Sequence, residues 1–243
     1  MIDLECAHFR QEFISSMQKR KNGFNADIID KIIHYFFLLK KSSELSNLTG
    51  YHKIDDYIDF HLIDTIVLNQ QIDQKPKPSI VDVGTGAGIP GLLLSIMRPE
   101  ANVLLIDSRK KKTDFLNRVV KQIPLYNCNV LCERIEKTAH NEQYREKFDI
   151  VTARAIGSLP ITMELTAPLA KTGGNILLPR GSNEEEESKI EYLSSILGNK
   201  IVKMVPYKLP RRNQDFVLFV LEKIMNTPDK YPRKPGQLKK RPL

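Results

Sequence analysis

The spacing of apolar residues changes character once along the chain. Over the first 60 residues it follows helical intervals, with Leu4, Phe9, Phe13 and Met17 on one stripe. Ile28, Ile29, Ile32, Ile33, Phe36 and Phe37 form a second, the pattern of amphipathic helices that bury one face. Asn25 and Asp27 stand at the start of that second stripe, and short side chains that accept a hydrogen bond from an unpaired N–H favour helix starts. Strand-like alternation is absent from this region. Lys75-Pro-Lys-Pro78 closes it, because proline lacks the N–H a helix needs and drives its predecessor toward extended backbone.

Beyond that break the pattern predicts alternating strands and helices. Short apolar runs at Ser79–Val83, Asn102–Asp107, Asn127–Cys132, Phe148–Ala153 and Asn175–Leu178 read as strands. Helices are predicted at Pro90–Met97, Lys110–Ile123 and Leu159–Ala170, the first with proline near its start. A further helix is capped by Ser182 or Asn183 and opens on Glu184-Glu-Glu-Glu187, acids placed where the helix dipole favours them. Two last strands, Ile201–Tyr207 and Asp215–Leu221, flank the basic link Lys208-Leu-Pro-Arg-Arg212. A link that short joins antiparallel neighbours and cannot hold a parallel crossover. The expected architecture is an α/β doubly wound parallel sheet, finished by an antiparallel hairpin and preceded by a helical extension.

One turn in this pattern carries chemistry. Ile80-Val-Asp-Val-Gly-Thr-Gly-Ala-Gly-Ile-Pro-Gly91 runs from strand to helix through glycines at 84, 86, 88 and 91. Glycines let a ligand approach the backbone, and the helix beyond offers unpaired N–H groups. Gly86, Gly88 and Gly91 satisfy the nicotinamide-dinucleotide spacing G-x-G-x-x-G. Yet Gly84 opens the turn, with Asp82 two residues before it on the strand, and the order acid-x-Gly-x-Gly resembles motif I of class I methyltransferases. There the loop wraps the amino-acid end of S-adenosyl-L-methionine. A carboxylate at Asp82 would help to organise that cationic end, directly or through water, and would be a poor neighbour for a pyrophosphate. Asp107, ending the second strand, can accept two hydrogen bonds from a ribose diol. Capping the helix at Lys110 is its alternative role.

Charge adds a second partner. The chain of 243 residues carries a formal charge of +8. Residues 223–243 hold seven Lys or Arg against one acid, Asp229, which suits phosphate contacts as well as a solvated tail. Arg109, Lys110, Lys111 and Lys112 crowd a helix start although cations oppose its dipole. Three cysteines, Cys6, Cys128 and Cys132, fit a reducing cytoplasm better than a disulfide framework. No long apolar run or secretory pattern is seen, so neither membrane span nor export is expected.

With these pieces in order, the chain resembles the bacterial small-subunit rRNA methyltransferase G family, once called glucose-inhibited division protein B. The matching strings are Asn47-Leu-Thr49, His61-Leu-Ile-Asp64, Asp82–Gly91, Leu105-Ile-Asp-Ser108, Glu133-Arg-Ile-Glu136, Ala153-Arg-Ala155 and Arg180-Gly181. Tyr231-Pro-Arg-Lys-Pro-Gly236 and Lys240-Arg-Pro-Leu243 complete them. The resemblance implies a class I S-adenosylmethionine-dependent methyltransferase fold and methylation of N7 of a guanine in 16S rRNA. It also implies cofactor contacts at Gly84, Ile89, Ile135, Glu136 and Arg154, with Ile135-Glu136 flanking the adenine. The chain departs from the family in having no Trp, in Arg180-Gly181 where Lys-Gly is usual, and in Ala153 where Ser is usual.

Missing chemistry fits this reading. Guanine N7 offers an in-plane electron pair and has no proton to lose, so alignment suffices and no general base is expected. Neither Cys128 nor Cys132 follows a proline as a C5-directed nucleophile commonly does, and both read as small core residues. The Asn/Asp-Pro-Pro-aromatic stretch of amine methylation is absent; Thr152-Ala-Arg-Ala-Ile156 stands in its place. The histidines show no zinc spacing. The expected site therefore comprises Asp82, Gly84, Gly86, Gly88, Ile89, Asp107, Ile135, Glu136 and Arg154 for the cofactor, and Lys111, Lys112, Arg180, Arg211 and Arg212 for RNA. Its partner would be 16S rRNA or a small-subunit precursor, with no metal and no obligatory oligomer. Residues 1–74 would form the helical extension, 79–222 the methyltransferase domain and 223–243 a basic tail. A nicotinamide-dependent oxidoreductase and a non-catalytic RNA-binding factor are the alternatives.

Overall fold

The computed structural model describes residues 7, 10–15, 24–46, 54–72, 76–183, 185, 188–209 and 215–243. Seven strands form one sheet in the order β3-β2-β1-β4-β5-β7-β6. They are β1 Ser79–Val83, β2 Asn102–Asp107, β3 Cys128–Cys132, β4 Phe148–Ala153, β5 Ala170–Gly181, β6 Asn199–Lys208 and β7 Asp215–Lys223. The first five pair in parallel. β7 inserts antiparallel between β5 and β6, which makes the expected hairpin with its second strand innermost.

Period-two alternation sends side chains of each strand to two separate cores. Ile80, Val103 and Leu105 point to the first, beneath α1 Ala26–Ser46, α3 Gly91–Met97 and α4 Lys110–Gln122. Val81, Val83 and Ile106 point to the second, beneath α6 Leu159–Thr166 and α7 Ile190–Leu197. The helical segments Ile54–Tyr57, Ile58–Leu62 (a π-turn) and Ile63–Asn69 run on as α2, and Tyr57, Ile58 and Leu62 join the first core. α1 starts where expected, because the Asn25 carboxamide oxygen accepts the Ile28 N–H at 2.9 Å. The helix expected over Leu159–Ala170 ends earlier, at Thr166, and tightens to a 3-10 turn over Ala167–Leu169 around Pro168. β5, expected only over Asn175–Leu178, runs the full Ala170–Gly181.

Several expectations fall elsewhere. Leu4, Phe9, Met17, Asn47-Leu-Thr49, Lys75, Glu184, Glu186, Glu187, Arg211 and Arg212 lie outside the described residues. Cys128 is buried, but Cys132 is exposed; it ends an edge strand that the helices cover only in part. Among the described residues no helix is long and apolar enough to cross a membrane, and no group of His, Cys, Asp and Glu is arranged to hold a metal.

The segment after β7 packs on the second core. Lys223 is fully buried, its ammonium donating to Ala167 O at 2.8 Å and to the Thr227 hydroxyl. Burial pulls its pKa down to about 8. Arg145 clasps the segment further on, with Nη1 on Tyr231 O at 3.0 Å and Nη2 on Thr227 O at 2.7 Å. Glu164, on α6 and fully buried, pairs with Arg233 Nη2 at 2.6 Å and accepts the Arg233 backbone N–H at 2.7 Å. A last helix, α8 Pro235–Lys240, follows.

Candidate active site

The glycine loop is held by Asp82. That side chain points to the first core, fully buried, and its Oδ2 accepts the Thr85 hydroxyl at 2.6 Å and the Gly91 N–H at 2.9 Å. One oxygen thus ties Thr85 in the loop to the first residue of α3. Oδ1 is buried with no hydrogen-bond partner among the described residues. Burial pushes the Asp82 carboxyl up to about 7, against the two hydrogen bonds that lower it. Asp82 therefore acts on the loop rather than at a surface. Two glycines of the loop leave no room for a side chain without displacing a neighbour. A Cβ on Gly91 would lie 2.5 Å from Asp82 Cβ, and one on Gly84 would lie 2.4 Å from Ile156 Cγ2 at a backbone φ of +67°.

Asp107 serves the loop and the next helix together. Its Oδ2 accepts the Gly86 N–H at 3.0 Å and its Oδ1 accepts the Arg109 N–H at 2.8 Å. Lys112 Nζ stands 4.0 Å from Asp107 Oδ2 and 3.3 Å from where a Gly86 Cβ would be. Lys112 thus lies over the loop, whereas Arg109, Lys110 and Lys111 are exposed. Lys110 eases the crowding of cations at the helix start by pairing with Asp114 at 2.9 Å.

Two clefts open at the C-terminal ends of the parallel strands. The first, about 640 Å³, is lined by Ser108 and Arg109 after β2 and by Ile135 and Glu136 on the short helix α5 Ile135–Thr138. Ile156, Ile161, Leu165 and three residues of α8 also line it. The second, about 230 Å³, is lined by Asp64, Arg154, Arg180, Tyr207 and Phe216. Arg154 Nε pairs with Asp64 Oδ2 at 2.9 Å, Nη1 meets His61 Nδ1 at 2.9 Å, and Nη2 donates to Phe60 O at 2.5 Å. Asp64 also accepts the Tyr207 hydroxyl. Burial raises the Asp64 pKa while Arg154 and Tyr207 lower it. Tyr207 and Phe216 are tilted neighbours with ring centroids 5.7 Å apart. Arg180 Nη1 donates to Gly157 O at 3.1 Å.

A model of the family described as rRNA small subunit methyltransferase G matches residues 28–214. The chain belongs to that family. A ribosomal RNA small subunit methyltransferase G of Acetivibrio thermocellus is 37% identical over 226 residues, covering 91% of this chain and 93% of the relative. Its namesake in Carboxydothermus hydrogenoformans is 37% identical and covers 97% of each. Among solved structures, a SAM-dependent methyltransferase from Aquifex aeolicus superposes with a TM-score of 0.52 at 17% identity, covering 69% of this chain and 93% of that one. The Methanococcus jannaschii fibrillarin pre-rRNA processing protein gives 0.53 at 17% identity, over 68% and 75%. At these identities the likeness shows the fold alone, a class I methyltransferase sheet.

Within this methyltransferase G chain, the structure brings Asp82, Gly84, Gly86, Gly88, Ile89 and Asp107 to one corner, with Ile135 and Glu136 on the adjoining cleft. Arg154 and Arg180 meet in the second cleft. Lys111 faces solvent. Sequence reasoning missed Tyr207, Phe216 and the buried Tyr35, whose hydroxyl donates to Ala87 O in the loop at 2.9 Å. The matched string His61–Asp64 carried no assigned role for Asp64, whose contacts with Arg154 and Tyr207 appear only in the fold.

Proposed function

We propose that this enzyme transfers the methyl group of S-adenosyl-L-methionine to N7 of a guanine in 16S rRNA or a small-subunit precursor, in the cytoplasm and without need of an oligomer. The observation that carries the reading is the Gly84–Gly91 loop, clamped by a buried carboxylate beside a slot of about 640 Å³, in a chain of the methyltransferase G family. The residues present fit the cofactor. A Cβ at Gly86 would meet only Lys112 Nζ at 3.3 Å and Gly84 O at 3.8 Å, which leaves that backbone open to a ligand. Asp107 stands at the end of β2, where a carboxylate can accept ribose hydroxyls. Gly84, Gly86, Gly88 and Ile89 would hold the methionine end through their backbone. Ile135 and Glu136 would flank the adenine, and Arg154 would stand as a cation on the ligand side of the sheet. Asp82 would contribute by keeping the loop in shape.

When bound, the cofactor supplies an electrophilic methyl on a sulfonium. The chain's task is then positioning. Guanine N7 carries no proton, so no side chain is assigned as a general base. Arg180, with the Tyr207 and Phe216 rings, would hold the target base in the smaller cleft; aromatic faces stack on unpaired bases. Lys111 would contact phosphate. Lys112 joins it in the sequence reading, although its position over Gly86 and beside Asp107 favours the cofactor side. Arg211 and Arg212 are proposed on charge alone.

Labelled S-adenosylmethionine should mark 16S rRNA, and strand scission specific to 7-methylguanosine should locate the label. Asp107→Ala should weaken cofactor binding by roughly 2–3 kcal/mol, on the scale of lost charge-assisted hydrogen bonds, as read by calorimetry. Label on another base, or on another atom of guanine, overturns the assignment.

A further inference from the structure

We propose that the C-terminal segment Tyr231–Leu238 is part of the cofactor site, where it forms the outer wall of the slot that receives an adenine ring. The inference deepens the cofactor reading above and rests on it. The slot of about 640 Å³ is lined by Ile135, Ile156, Ile161 and Leu165 and by Pro235, Gly236 and Leu238 of α8. It adjoins the glycine loop, since a Cβ on Gly84 would lie 3.8 Å from Ile135 Cδ1 and 2.4 Å from Ile156 Cγ2. Aliphatic side chains beside the exposed Arg109 and Arg134 and the half-buried Glu136 match a flat ring whose faces are apolar and whose edge is polar.

The segment is placed by built contacts. Glu164 lies on α6 between Ile161 and Leu165, two residues that line the slot, and its buried carboxylate accepts from Arg233 Nε at 2.9 Å, Nη2 at 2.6 Å and the backbone N–H at 2.7 Å. Arg145 holds Tyr231 O at 3.0 Å, and His140 Nε2 meets Pro232 O at 2.8 Å. Tyr231 and Leu238 are buried. A buried acid bonded to both side chain and backbone of one arginine fixes chain position closely, because loss of either partner strands a charge. An arm that only gathers phosphate needs no such anchoring. The clasp therefore sets α8 opposite Ile161 and Leu165 and gives the slot its second wall.

The test uses a chain ending at Lys234, which removes α8 but keeps Arg233 on Glu164 and the Arg145 clasp, together with full-length Leu238→Ala. Urea unfolding verifies that each variant folds. Calorimetry with S-adenosylmethionine and with adenosine should show about a tenfold loss of affinity for both ligands in the shortened chain, the scale of one lost apolar wall. Leu238→Ala should show a loss of about threefold, and decides the matter if the shortened chain does not fold. Affinity for 16S rRNA, titrated against salt, should keep its slope in Leu238→Ala. Variants that fold and bind both ligands like the full chain overturn this proposal alone; if the shortened chain then binds RNA more weakly, the segment is a phosphate contact instead. A full chain that binds neither ligand overturns the cofactor reading and this proposal with it.

Discussion

Asp82 is a short acid one residue from the end of a buried strand, and its position creates a conflict between burial and charge. Oδ2 is well served by Thr85 and Gly91, whereas Oδ1 has no partner among the described residues. The carboxyl is consequently pushed from 3.8 up to about 7. Between those values the folded chain holds a proton that the unfolded chain has released. The contribution of this group to stability therefore falls as pH rises from about 4 to about 7 and is constant above that. Asp82→Asn keeps the shape and removes the titration. Urea midpoints measured from pH 4 to 8 should show the wild type losing ground to the variant across the window, then running parallel to it. A gap that stays constant throughout would contradict the assignment.

At the scale of elements, α4 sets its neighbouring cations in different surroundings. Successive residues of a helix point about 100° apart, so adjacent lysines face different surroundings: Lys111 is exposed, and Lys112 leans over Gly86 toward Asp107. Lys111→Gln should lower RNA affinity and reduce its salt slope by about one, leaving cofactor affinity unchanged. Lys112→Gln should weaken cofactor binding about threefold, a scale fitting a partly exposed pair. Filter binding across salt, paired with calorimetry, separates the two. The opposite allotment of effects would sink this division of the helix.

For the whole molecule, Arg154 is the junction. It leaves the end of β4 and binds Phe60 O, His61 and Asp64 on α2, while Asp64 reaches Tyr207 on the hairpin. Arg154→Ala removes the cation beside a nearly buried carboxylate and should cost about 3 kcal/mol in urea unfolding. Arg154→Lys should recover only part of that, since an ammonium cannot reproduce the planar fork. Full recovery by lysine would show that charge alone matters there. Tyr35 makes the comparable tie from α1 to the glycine loop, so the helical extension braces both the loop and the second cleft.

Period and punctuation along the chain determined the parallel strands, the hairpin and the glycine corner. Each depends on neighbours within a few residues: alternation along a strand, the breaks at Pro76 and Pro78, and a positive-φ glycine at Gly84. The places of Asp82 and Asp107 beside the loop were legible for the same reason, both standing at or next to strand ends. What Asp82 does was decided only by packing, which turned it inward to the loop. The separation of 93 residues from His61 to Arg154, and the long spans from Asp64 to Tyr207 and from Glu164 to Arg233, leave no local pattern. Such pairs form because a buried charge requires a polar partner, and only the folded sheet brings the two within reach.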